Sequence, residues 1–289
     1  MFCLPQYNAG FQTRAILVVT EDLSLIIPWC NRATLGETLL ASLHALRDSR
    51  ATVIVINCGG DLDALVASIP NSLKRALVVN VRHPFNKSLC LNIGIAVAST
   101  QLVSVMDADI AFSFDFLKKV TTVLSREGYF TTAARVRESE ACAPLRVSHC
   151  GVDVHRYHQF TFRDGRKIRL RTGNTDLLTG LRAGPGLIGA RRAALREVGG
   201  FNSSLTHWGW EDHDIQLRLI YLLGLKRREV GTVRHITHSD PARQLGYLTR
   251  AEASRVNLLK CMEAYDRGDF QGSYHNDIRI SYDIHTVCA

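Results

Sequence analysis

QLVSVMDAD, residues 101–109, is an apolar run that ends on two carboxylates, Asp107 and Asp109. A buried strand closing on a carboxylate pair needs a positive group beside it, because burying unpaired charge is costly. The segments before it set its place. LSLIIPW (23–29), ATVIVINCGG (51–60) and RALVVNV (75–81) are apolar and rich in β-branched residues, so they read as strands. AILVVT (15–20) reads the same way, with a turn at Glu21-Asp22. Between the strands, residues 33–49 carry Leu35, Leu39, Leu40, Leu43 and Leu46 at helical spacing. Residues 62–69, 86–100 and 114–127 read as further helices. This alternation predicts an α/β fold, a mostly parallel sheet with helices on both faces. In such sheets ligands bind beyond the carboxyl ends of the strands, where Asp107, Asp109 and the loop 57–61 would stand.

The pattern then changes. Residues 160–172 alternate around Asp164-Gly165, which predicts a β-hairpin. GPGLIGARRAALREVGGF (184–201) reads as a strand, a helix and a Gly-Gly stop. WEDHDIQLRLIYLLGL (210–225) reads as a helix with acidic residues in its first turn, where the helix dipole favours them. Beyond Asp240-Pro241 the chain reads as helices and a polar tail.

The 289 residues, 46% apolar and 21% charged, suffice for one large domain with a substantial core. A net charge of +8 points to an anionic partner. The basic groups, at 163–171, Arg191/Arg192/Arg196 and 226–228, accompany no nucleic-acid-binding pattern, so a phosphate-bearing small ligand is expected and nucleic acid is not. Eight cysteines without C-x-x-C spacing read as reduced, mostly buried thiols of a cytoplasmic protein. No signal-peptide layout opens the sequence, and no apolar run nears the ~20 residues of a membrane span, so membrane contact is expected to be peripheral at most.

An Asp-x-Asp after a strand has three readings. It can be a solvated, helix-capping turn. It can be a phosphatase nucleophile of the haloacid-dehalogenase kind, although Ala111 and the late strand depart from that pattern. It can hold a divalent metal that bridges a nucleoside diphosphate, since Mg²⁺ and Mn²⁺ prefer oxygen ligands and substrate phosphates. LIIPWCNR, VINCGGD, FNKSLCLNIG, VMDADI and WGWEDHDIQLRL occur in that order. Together they resemble the inverting glycosyltransferases of the GT-A fold, above all β-1,4-galactosyltransferases and bacterial family 2 chondroitin-type enzymes.

The resemblance covers residues 23–240. It implies a GT-A domain over 1–240, with a nucleotide half at about 15–113 and an acceptor half at about 114–240. Residues 241–289 would form a helical extension packed on it. It implies a UDP-sugar donor, a carbohydrate or glycoside acceptor, and Mn²⁺, with Mg²⁺ as the alternative. Pro28 and Arg32 match the loop that touches the nucleotide. Asn57 stands where family members often place a polar residue near the base, commonly Asp. Phe85 and Lys87 match a Phe-Asn-Arg stretch, with Lys in place of Arg. Asp109 matches the metal ligand and Asp107 the ribose or outer-sphere contact. A His beyond the acidic helix should complete the metal site; RHITHSD offers His235 and His238, and the His-Ser pair favours His238.

The acidic helix start carries the chemistry that the resemblance implies. Asp212 matches the base that takes the acceptor's proton, and Glu211 beside it would hold a sugar hydroxyl. Trp208 and Trp210 suit stacking on the acceptor. The family's two glycines between Trp and Glu are absent here, so acceptor identity does not transfer. Gly184 and Gly186 match the strand behind the donor sugar and allow close approach. The rivals are a nucleotidyltransferase on a related sheet, whose early glycine-rich loop is missing, and a non-catalytic sugar-binding protein on the same fold.

Overall fold

The computed structural model describes residues 22–140, 152–206, 208–238 and 249–287. The strand read at 15–20 lies outside them. The nucleus is four parallel strands: β1 (Leu23–Trp29), β2 (Ala51–Cys58), β3 (Ala76–Val81) and β4 (Leu102–Val105). Every residue of β1 is buried, as expected for a strand covered on both faces. Pro28 is tolerated in this central strand because β4 pairs only as far as Ile26. One face carries α1 (Leu35–Ala41), α2 (Leu43–Asp48), α3 (Leu62–Ser68) and α5 (Phe114–Leu124), packed through Leu35, Leu39, Leu65 and Phe116. The other carries α4 (Lys87–Val97), packed through Leu89, Leu91, Ile93 and Ile95. Side chains of Asp61, Asn86 and Ser113 cap α3, α4 and α5.

Two boundaries differ from expectation. The helix over 33–49 breaks at Ser42, whose hydroxyl turns inward and accepts the Phe112 N–H at 3.1 Å. The strand expected through Asp109 stops at Val105. Residues 106–109 turn instead, and the two-residue strand β5 (Ile110–Ala111) follows. The turn lets the carboxylates leave the sheet rather than face its apolar layers.

The second half is mixed. The sheet runs β11-β3-β2-β1-β4-β9-β6-β10-β5. Here β6 is Tyr129–Glu138, β9 is Arg182–Arg191, β10 is Lys226–His235 and β11 is Tyr282–Val287. β9 is antiparallel to both β4 and β6, while β10 is parallel to β6. The hairpin extends further than 160–172, as β7 (Asp153–Thr161) and β8 (Lys167–Asp176), with Gly165 left-handed at its turn. α6 (Arg192–Glu197) ends at Gly199 and Gly200, both at positive φ. The C-terminal segment brings α8 (Arg250–Asp266) and α9 (Tyr274–Asp277). It is not only helical, because β11 joins the sheet edge antiparallel to β3. The four described cysteines are free thiols. No described helix is long and apolar enough to cross a membrane.

The acidic helix is α7 (Glu211–Leu223). Its anchor is Arg218, 1% exposed, which donates to Asp214 at 2.6 and 3.1 Å and to the carbonyls of Val198 and Gly200. Tyr265 of α8 donates to the other Asp214 oxygen at 2.6 Å. Removing one partner strands a buried charge. Arg218→Leu is therefore expected to destabilise the fold by about 3–5 kcal/mol, read as a lowered midpoint in urea unfolding, while Arg47→Leu on the exposed surface of α2 changes it little.

Candidate active site

The carboxyl ends of the parallel strands, the start of α7 and the β7–β8 hairpin enclose a cavity of about 600 Å³. Pro28, Arg32, Phe85, Lys87, Asp107, Asp109, Gly186, Trp208, Trp210, Glu211, Asp212, His235 and His238 all line it. Asn57 does not. It is fully buried, with its amide donating to Gly60 O and Asn80 Oδ1 and its oxygen accepting from Gly60 N. Closing that turn uses the side chain completely, so the expected nucleotide contact of Asn57 is corrected.

Pairing of β5 with β10 builds one end of the cavity. His235 stands opposite Ile110, and Ile236 N donates to Asp109 O at 2.7 Å. Asp109, His235 and His238 thereby offer one donor atom each, all within 4.8 Å of one another. His238 Nε2 is 3.0 Å from Asp109 Oδ2, and His235 Nε2 is 3.7 Å from Oδ1. Arg32 Nη1 lies 3.4 Å from the His238 ring. Glu138, at the end of β6, holds His235 Nδ1 at 2.5 Å and so turns Nε2 toward Asp109. Burial works against ionisation of Asp109, but His235, Arg32 and His238 outweigh it and hold its carboxyl below the usual range. The bond to Asp109 raises His235 above an ordinary imidazole, against its burial and with Glu138 helping. One carboxylate and two imidazoles with a carboxylate behind one ring suit a divalent transition ion better than Mg²⁺. Sequence reading weighed His235 against His238; the structure brings both to Asp109.

The other end is built on α7. Trp210 precedes the helix at φ 74°, a left-handed conformation that costs of order 1–3 kcal/mol for a bulky residue. It is held there by its indole N–H on Ser254 at 2.8 Å, by parallel stacking with His158 at 5.0 Å, and by packing on Phe160, Leu170 and Leu217. Trp210 is thus 7% exposed and forms the floor, while Trp208 is 42% exposed with Arg250 over its ring. Lys87 sits between the ends, 2.9 Å from Asp107 and 3.3 Å from Glu211. Glu211 Oε2 is buried and bonds to nothing among the described residues. Burial raises the Glu211 carboxyl, against the pull of Lys87. Burial opposes the charge of Asp212 too, but His213 and then Lys87 overcome it and bring Asp212 to about 2.

The glycines separate in role. A β-carbon at Gly184 would stand 2.8 Å from Val136, so this position serves strand packing. One at Gly186 would stand 3.4 Å from Asp212 Oδ2, so Gly186 keeps the wall open before that oxygen. Sequence reading missed Glu138, His158 and Ser254, which carry no motif and meet the site only through the fold, and gave no role to His213 although it sits inside the acidic motif.

The glycosyl transferase family 2 model matches residues 24–199, and the model described as the N-terminal domain of galactosyltransferase matches residues 181–239. No curated protein matches the sequence. Among solved structures, the chain is similar to the mannosyltransferase PcManGT from Pyrobaculum calidifontis in complex with GDP-Man and Mn²⁺. The identity is 15% and the TM-score 0.54, over 90% of this chain and 70% of that one. That likeness shows the GT-A fold. The nucleotidyltransferase and the silent binding protein are thereby set aside: the chain belongs to glycosyl transferase family 2 and is a glycosyltransferase.

Proposed function

We propose that this glycosyltransferase moves a sugar from a UDP-sugar to a hydroxyl of a carbohydrate or glycoside acceptor, with inversion and with Asp212 as general base. The observation that carries this reading is that Asp109, His235, His238 and Asp212 open onto one cavity, with Lys87 between Asp107 and Glu211. The UDP donor rests on the resemblance to β-1,4-galactosyltransferases, with which the galactosyltransferase model over 181–239 agrees. Asp109, His235 and His238 would hold Mn²⁺, which neutralises charge on a leaving diphosphate. Arg32 and Lys87 add fixed positive charge for the phosphates. Gly186 leaves room for the attacking hydroxyl at Asp212 Oδ2, and Trp208 offers a stacking face. In this reading residues to about 113 serve the nucleotide and 114–240 the acceptor.

A panel of UDP- and GDP-sugars with Mn²⁺, read by nucleotide release, tests the donor. UDP release with no GDP release is expected; release from GDP-sugars alone rejects the nucleotide assignment. Asp212→Asn is expected to lower kcat by about 10³-fold with donor affinity retained, because it removes a general base and little else. Glu138→Gln is expected to weaken Mn²⁺ binding by about 10-fold in calorimetry, and Asp109→Asn by more, since outer partners set the orientation of a ligating imidazole.

A further inference from the structure

We propose that His213 is a positioning residue: it holds Asp212 with one oxygen toward the acceptor and makes sugar transfer pH-dependent. This rests on Asp212 being the base. The two oxygens of Asp212 have different surroundings. Oδ1 accepts the backbone N–H of His213 at 2.9 Å, and the His213 ring Nδ1 lies 3.0 Å from the same atom. Oδ2 faces the gap kept open by Gly186. The ring is fixed rather than free. Its centroid is 5.4 Å from His158 and 5.3 Å from Trp210, whose own place is set by Ser254. Both ring nitrogens are buried and form no aligned hydrogen bond among the described residues. A charge on this imidazole therefore has Asp212 as its near counterpart.

The charged and titratable groups facing His213 are Asp212 and Glu211 from its own helix, His158 from β7 and Arg227 from β10, while Lys87 from α4 acts on Asp212. Burial disfavours the imidazolium and Arg227 opposes it, but the two carboxylates prevail and raise His213 above an ordinary histidine. Asp212 is ionised throughout the range in which His213 titrates. In the transfer step the acceptor oxygen bonds to the anomeric carbon as the bond from that carbon to the leaving diphosphate oxygen breaks. The acceptor's proton passes to Asp212 Oδ2. A protonated His213 neutralises Asp212 and makes it a weaker acceptor of that proton. Loss of the His213 proton as pH rises restores basicity while the backbone N–H keeps the carboxylate in place.

The test is kcat and KM against pH, from about 5.5 to 9, for the wild type, His213→Asn, His213→Leu and Asp212→Asn. The wild type should show an acidic limb in kcat. His213→Asn keeps a neutral donor beside Oδ1 and should lose that limb, with KM changed less than about 2-fold. His213→Leu should lose the limb as well, with plateau kcat within about 2-fold of wild type, since the backbone N–H stays on Oδ1. A limb unchanged in His213→Asn overturns the proposal. Thermal melting checks each fold, and His213→Gln replaces His213→Asn if the latter does not fold. Asp212→Asn with wild-type kcat would instead reject Asp212 as the base; an inactive Asp212→Asn beside an unchanged limb rejects only the role of His213.

Discussion

Five carboxylates, Asp107, Asp109, Glu138, Glu211 and Asp212, meet at one end of the sheet, and the arrangement of the site follows from pairing them. Water cannot do it, because Asp109, Glu211 and Asp212 are mostly withdrawn from solvent. Like charges within about 4–6 Å of one another repel by several kcal/mol in a partly buried setting. The compensation is local and specific. Lys87 bridges Asp107 to Glu211, His235 and His238 flank Asp109, Arg182 and His235 share Glu138, and His213 covers Asp212. Burial works against the Lys87 charge, yet Asp107 and Glu211 together hold the ammonium more firmly protonated than in water. The pairings also leave edges open: Glu211 Oε2 has no partner among the described residues, and Asp212 Oδ2 faces the gap at Gly186.

Most of these partners arrive from parts of the chain far from the acid they serve. Asp109 precedes a two-residue strand, and His235 reaches it only because that strand pairs with β10. Glu138 reaches His235 because β6 and β10 run parallel, in a register that sets Glu138 opposite His235. The mixed second half of the sheet is thus what assembles the candidate metal site. A purely parallel continuation would have carried the end of β10 elsewhere.

This explains which parts were legible beforehand. The first half of the chain follows simple rules: apolar strands, helices of period 3.6 and polar caps at Asp61, Asn86 and Ser113. Asp109, Asp212 and Lys87 were legible because motif order carried them. β6 and β10 were not read as strands. β10, KRREVGTVRH, is only half buried near the sheet edge, and its run of basic residues conceals the alternation. Glu138 and His213 could not be seen as partners without the register of β6 on β10 and the turn at Trp210. Asn57 misled for a physical reason: a polar residue at a strand end can serve a ligand or the protein's own backbone, and here its turn and Asn80 of β3 take its polar atoms.

The acidic start of α7 would be a poor place to nucleate a helix if it stood alone. Trp210 adopts a left-handed backbone and gives the helix no side-chain cap, and Glu211 and Asp212 repel each other. The helix is held through its buried face, by Asp214 and Arg218. Arg218 ties Asp214 to the Gly199-Gly200 turn, where positive φ leaves the carbonyls of Val198 and Gly200 free to accept. Tyr265 reaches the same aspartate from α8, and Ser254 of that helix fixes Trp210. The buried pairing is therefore concentrated just behind Glu211 and Asp212. The helix start can keep strained backbone and an unsatisfied oxygen because Asp214 and Arg218 behind it are locked, which is the division of labour that pre-organised electrostatics requires.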